Sequence, residues 1–268
     1  IFKLLVRQAV IRDPEQPIPL NDCKGNIEFK NVSFAYIKQD YVLKDISFNI
    51  RQGEKVAFVG ATGAGKSSIM NLLCRFYDAQ IGEITVDGIN IKDIKQSELR
   101  KNIGLVVQDI FLFSDSISNN ISLNNNSIPE SRIKEAASII GIDHFISKLP
   151  LGYGQNVKER GVTLSQGERQ LITFARALAY DPKILILDEA TSSVDTHSEI
   201  LIQNAIDKLM DGRTSIIIAH RLSTIHKCDK IIVMHKGEIR ETGTHQQLLE
   251  LGGIYSRLYQ LQYKDSFV

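Results

Sequence analysis

The run KVAFVGATGAGKSS (55–68) constrains this chain more than any other stretch. Residues 55–60 are short and almost wholly apolar, as a strand buried on both faces requires. Residues 60–67 then fit G-x-x-x-x-G-K-[ST]. Glycines let backbone N–H groups wrap an anion, and a helix opening at Gly65 points its positive end at the same place. Lys66 is long enough to reach β- and γ-phosphate oxygens, and the Ser67 hydroxyl is a ligand for Mg²⁺. Strand, glycine loop and helix in this order predict a nucleotide cradle built from Gly60, Ala61, Thr62, Gly63, Ala64, Gly65, Lys66, Ser67 and Ser68.

A second chemical segment, ILILDEATSSVD (184–195), sets Asp188 and Glu189 at the end of another apolar strand. Open parallel sheets bind ligands beyond the carboxyl ends of their strands. Asp188 is therefore expected to reach the Mg²⁺ sphere, and Glu189 to polarise the attacking water. An isolated Asp-Glu pair is more often a solvated turn that caps the next helix. The cradle elsewhere in the chain shifts the balance towards chemistry.

The remaining pattern frames these two segments. Residues 1–12 carry apolar side chains at helical spacing, and 13–26 hold three of the six prolines and read as a linker, so a folded domain is expected from Ile27. Strands are predicted over 26–36, 43–50 and 55–60, with a helix over 65–77. The stretch from about 97 to 179 reads as helical, including SIPESRIKEAASIIG with a Ser cap, an early Pro and a terminal Gly. Strands and helices alternate thereafter, with KIIVMHKGEIRET as a hairpin and two short helices at the end, a pattern that argues for a parallel α/β sheet.

Composition removes other classes. The 32 basic and 31 acidic side chains give a net charge of +1, with none of the basic excess of a nonspecific nucleic-acid binder. No apolar run approaches the ~20 residues that span a bilayer. Cys23, Cys74 and Cys228 are far apart, odd in number and without metal-ligand spacing, so they read as reduced thiols.

Further segments recur in a fixed order: SFAY ending in Tyr36, the cradle, VVQD with Gln108, TLSQGERQ (163–170), the strand-end acids, SSVD ending in Asp195, and IIIAHRLST with His220. In that order the chain resembles the ATP-binding-cassette family from about residue 20 to 263. The resemblance implies a P-loop NTPase core with a mainly parallel sheet, an N-terminal antiparallel β subdomain and an α-helical signature subdomain. It implies that Tyr36 stacks on adenine, that Gln108 contacts Mg²⁺, that Ser165 and Gly167 of the signature contact a γ-phosphate, that Asp195 belongs to the aspartate loop, and that His220 holds the γ-phosphate. Alone, Tyr36 is an ordinary strand aromatic and His220 an ordinary strand-end histidine. The usual signature reads Leu-Ser-Gly-Gly-Gln; here it is Leu164-Ser165-Gln166-Gly167-Glu168. Ser-x-x-Glu is also a helix capping box, and Arg169 is placed to offset the added carboxylate.

The segments after Gln108 and before the signature look most like exporters, although Lys158 stands where that stretch often has Gly. The resemblance then implies ATP and Mg²⁺ as cofactors, and two such domains paired head to tail as a homo- or heterodimer around ATP. It implies a transmembrane domain preceding residues 1–26 on the same native chain, and a place at the cytoplasmic face of a membrane. Three alternatives stay beside it: an importer ATPase subunit, a non-transport cassette ATPase, and a partner that binds ATP without hydrolysing it. The modest interval between Lys66 and Ser165 leaves no room for the coiled coil of a chromosome-organising relative.

Overall fold

Alternating burial divides the strands into two sheets. The computed structural model describes residues 11–37, 39–188, 196–218 and 222–265. In the first sheet, β1 (Ile27–Ala35) pairs antiparallel with β2 (Tyr41–Ile50) and with β4 (Ile81–Val86), and β4 turns into β5 (Ile89–Asn90). The second sheet runs β10–β9–β3–β8–β7–β6, from Glu238–Gly243, Lys230–His235, Lys55–Val59, Thr214–Ile218, Ile184–Asp188 and Ile103–Val106 respectively. Its strands are parallel except β10, which closes a hairpin with β9.

Side-chain period two explains why β3, β7 and β8 read as continuous apolar runs. Val56, Phe58, Ile186, Ile216 and Ile218 face a core shared with the antiparallel sheet. Their neighbours Ala57, Val59, Leu185, Leu187 and Ile217 face a second core under the helices. That helical side comprises α3 (Ile117–Ser122), α4 (Glu130–Ile140), α5 (Asp143–Ser147), α6 (Gln166–Ala179) and α7 (Thr196–Met210). The remaining helices are α1 (Lys66–Leu73), α2 (Gln96–Lys101), α8 (Leu222–Ile225), α9 (His245–Leu251) and α10 (Ile254–Asp265). Among the described residues no helix is long and apolar enough to cross a membrane. All three cysteines are buried.

Four expectations need correction. Residues 97–179 are not helical throughout, because Ile103–Val106 joins the parallel sheet as its edge strand. The cradle helix stops at Leu73, short of Tyr77, since Arg75 takes a left-handed φ of 52°. Ser127 does not cap α4; Pro129 occupies that position, and Ser127 bonds Asn125 instead.

The Pro-rich stretch 13–26 is no loose linker. Asp13 accepts the Gln96 N–H, Ile18 donates to the Asp93 carbonyl, and Leu20 and Cys23 are buried in the core beneath the antiparallel sheet. Asp87 then accepts the N–H groups of Lys24, Gly25 and Asn26. The helix expected over 1–12 falls mostly outside the described residues.

Candidate functional site

Strand register builds the site. Phe58 of β3 and Asp188 of β7 both pair with Ile218 of β8, so the loop after β3 and the Asp188 carboxylate leave the same carboxyl edge of the sheet. Gly60 has no room for a side chain: a Cβ there would lie 2.3 Å from the Met234 carbonyl oxygen. Gly65 has φ 104° and would drive a Cβ to 2.7 Å from Leu43. Two of the pattern's glycines are thus demanded by packing and backbone conformation together. Gly65 is also the N-cap of α1, which has no side-chain cap and no acid in its first turn. Its positive end is left for an anion.

Lys66 is only 6% exposed. Its Nζ donates to the Gly60 carbonyl at 2.6 Å and the Ala61 carbonyl at 3.1 Å. Burial lowers the ammonium pKa, while the Asp188 carboxylate works to raise it. A cavity of about 440 Å³ opens above the loop, and Thr62, Lys66, Ser67, Ser68, Gln108 and Asp188 all line it. Val42 and Ile218 add apolar wall, positions with no motif to announce them. Ser67, Gln108 and Asp188 offer only oxygen acceptors towards a cation, the donor set that Mg²⁺ prefers, so the residues fit that ion.

Tyr36 does not line this cavity, yet it is tied to it: its hydroxyl lies 3.1 Å from Ser68 Oγ. The ring is 45% exposed. It packs edge-on against Phe34 at 4.7 Å and Tyr77 at 4.9 Å. Ser165 and Gly167 lie apart from the cavity, at the start of α6. Ser165 Oγ accepts the Glu168 N–H at 3.3 Å, and the Glu168 carboxylate accepts the Ser165 N–H at 2.7 Å, so the capping box is complete. That geometry turns the Glu168 charge back onto the backbone. Arg169 does not offset it; its guanidinium donates to the carbonyls of Gly161 and Leu164. Glu189, Asp195 and His220 lie outside the described residues.

The loop, helix and sheet edge together define a P-loop nucleotide-binding domain. Residues 43–192 match the ABC transporter family profile. The chain is 53% identical over 238 residues to the probable multidrug resistance ABC transporter ATP-binding/permease protein YheH of Bacillus subtilis, covering 89% of this chain and 35% of that protein. It is 46% identical over 268 residues to the ATP-dependent lipid A-core flippase of Syntrophus aciditrophicus, covering all of this chain and 44% of that one. A bacterial Atm1-family ABC exporter solved with ATP bound superposes with a TM-score of 0.89 at 39% identity, over 97% of this chain and 46% of that chain. This chain belongs to the ABC transporter family, as a nucleotide-binding domain. It spans less than half the length of these relatives.

Proposed function

We propose that this domain binds ATP with Mg²⁺ in the Gly60–Ser68 cradle and hydrolyses it to drive export across a membrane. The observation that carries the reading is the convergence of Lys66, Ser67, Gln108 and Asp188 on one cavity at the carboxyl edge of the parallel sheet. The multidrug-resistance, flippase and exporter wording of the relatives' names supports export over import.

Each residue has a task in this reading. Lys66 exchanges two backbone carbonyls for phosphate oxygens, whose negative charge offsets the burial that now opposes its own. Ser67, Gln108 and Asp188 would hold Mg²⁺, which when bound would supply positive charge against the negative charge that develops on the phosphates. Tyr36 stacks on the base. Glu189 orients the attacking water, His220 holds the γ-phosphate, and Asp195 lies in the loop between the two halves.

Ser165 and Gly167 serve the ATP of a second domain, head to tail, which agrees with their absence from the lining of this chain's own cavity. ATP then binds the closed pair better than the open one, and hydrolysis removes that difference. A transmembrane domain linked through residues 1–26 would put the ATPase domain, 27–268, at the cytoplasmic face, with a helical signature subdomain starting near Ile117 rather than near residue 97.

Calorimetric titration with Mg²⁺–ATP tests the cradle. Lys66→Ala removes charge-assisted hydrogen bonds, each contributing roughly 1.5–3 kcal/mol, so affinity falls at least about tenfold. Unchanged affinity overturns the assignment.

A further inference from the structure

Tyr36 directly follows β1 of the antiparallel sheet, whereas the proposed phosphate cradle is the loop before α1. Something must fix the distance between a base-stacking ring and a phosphate cradle that sit on different elements. The structure places that link on α1. Ser68 and Asn71 are one turn apart on this helix and so project from one face. The Tyr36 hydroxyl lies 3.1 Å from Ser68 Oγ and accepts a hydrogen bond from Asn71 Nδ2 at 2.8 Å. Ser68 is 4% exposed and also lines the phosphate cavity.

We propose that Asn71 is a positioning residue for the nucleotide base: with Ser68 it ties the Tyr36 hydroxyl to the phosphate-binding helix, so that the ring stands at a fixed reach from the cradle. This rests on the reading of Tyr36 as the ring that stacks on the base. A tyrosine at the end of a strand, 45% exposed, has freedom about its side-chain bonds that stacking must remove. Phe34 and Tyr77 limit its tilt by edge contacts, but edge packing leaves a ring free to slide. A hydrogen bond at the far end of the ring does not. Asn71 does not line the cavity, so in this reading its influence reaches the ligand through Tyr36.

The test compares two ligands on the full chain, Mg²⁺–ATP and Mg²⁺–tripolyphosphate, the second lacking a base. Asn71→Leu is expected to weaken ATP about three- to tenfold, the effect of one neutral hydrogen bond, and to leave tripolyphosphate unchanged. In turnover the loss appears in KM rather than kcat. Tyr36→Phe keeps the ring and loses the bonds to both Asn71 and Ser68, so it should weaken ATP at least as much as Asn71→Leu, and adding Asn71→Leu to it should weaken ATP no further. Intact tripolyphosphate binding shows that each variant is folded. Equal weakening of both ligands overturns the inference, because Asn71 would then act on the cradle helix itself. Unchanged ATP affinity in Asn71→Leu, with a loss in Tyr36→Ala, overturns it while sparing the stacking ring. Unchanged ATP affinity in Tyr36→Ala removes the stacking reading, and this inference with it.

Discussion

Lys158 sits at φ 55°, ψ −178°, a conformation that is close to glycine's own. The backbone at this position favours glycine, and this chain meets it with a residue that has a Cβ. The side chain is exposed, and its N–H is held by Asn156 Oδ1 at 2.8 Å. Lys158→Gly is expected to stabilise the domain by about 1 kcal/mol, read as a rise in thermal midpoint. A lower midpoint would show that the strain lies elsewhere. At this scale Lys66, Ser67 and Asp188 were legible because their chemistry fixes spacing, whereas Gln108 was named only through the resemblance; all four line one cavity. Arg169 was not legible. Neighbouring charges in sequence suggested an ion pair, but residues one apart on a helix do not face each other, and the guanidinium found carbonyls instead.

Among the elements, β3, β7 and β8 were plain from their apolar runs, because a strand covered on both faces leaves no polar positions to confuse the pattern. The edge strand β6 was missed for the converse reason: it has four residues, and its Ile-Gly-Leu-Val lies beside helical sequence that dominates any longer window. The turn between β4 and β5 had a legible signal, the Asp87-Gly88 pair with φ 50° and 80°, as a tight hairpin turn requires. The same Asp87 ties down the stretch before β1. Burial works to raise its pKa, but hydrogen bonds from Asn26, Gly25 and Lys24 prevail and hold it below the usual carboxylate value. The sign of the pH effect follows: the stabilisation is present above the unfolded value of 3.8 and is lost as pH falls through the lower folded one. Asp87→Gly keeps the left-handed turn and deletes the side chain that carries the carboxylate. It should cost about 2 kcal/mol at neutral pH, with faster amide exchange at 24–26, and the cost should shrink in acid. A pH-independent cost would contradict the ionised clasp. Pro-rich composition hid this clasp, since a proline count reports missing donors and says nothing of carboxylates waiting on another turn.

For the whole molecule, parallel register brings Asp188 beside the cradle, and it also leaves the signature at the start of α6 on its own side. A cradle cavity that Ser165 and Gly167 do not line agrees with the proposal that a second domain completes the site in trans. Sequence order suggested this arrangement only through resemblance; that Ser165 does not line the Lys66 cavity is the structural observation that agrees with it. The capping box keeps the Ser165 hydroxyl at an exposed helix N-terminus, where its proton and the helix dipole favour an anion. The most direct measurement is the ATPase rate of an equimolar mixture of Lys66→Ala and Ser165→Arg chains. One variant retains the signature and the other the cradle, so the account predicts hydrolysis in the mixture where neither variant alone shows it. A mixture no more active than its separate components, or a Ser165→Arg chain with full activity by itself, would contradict the shared site.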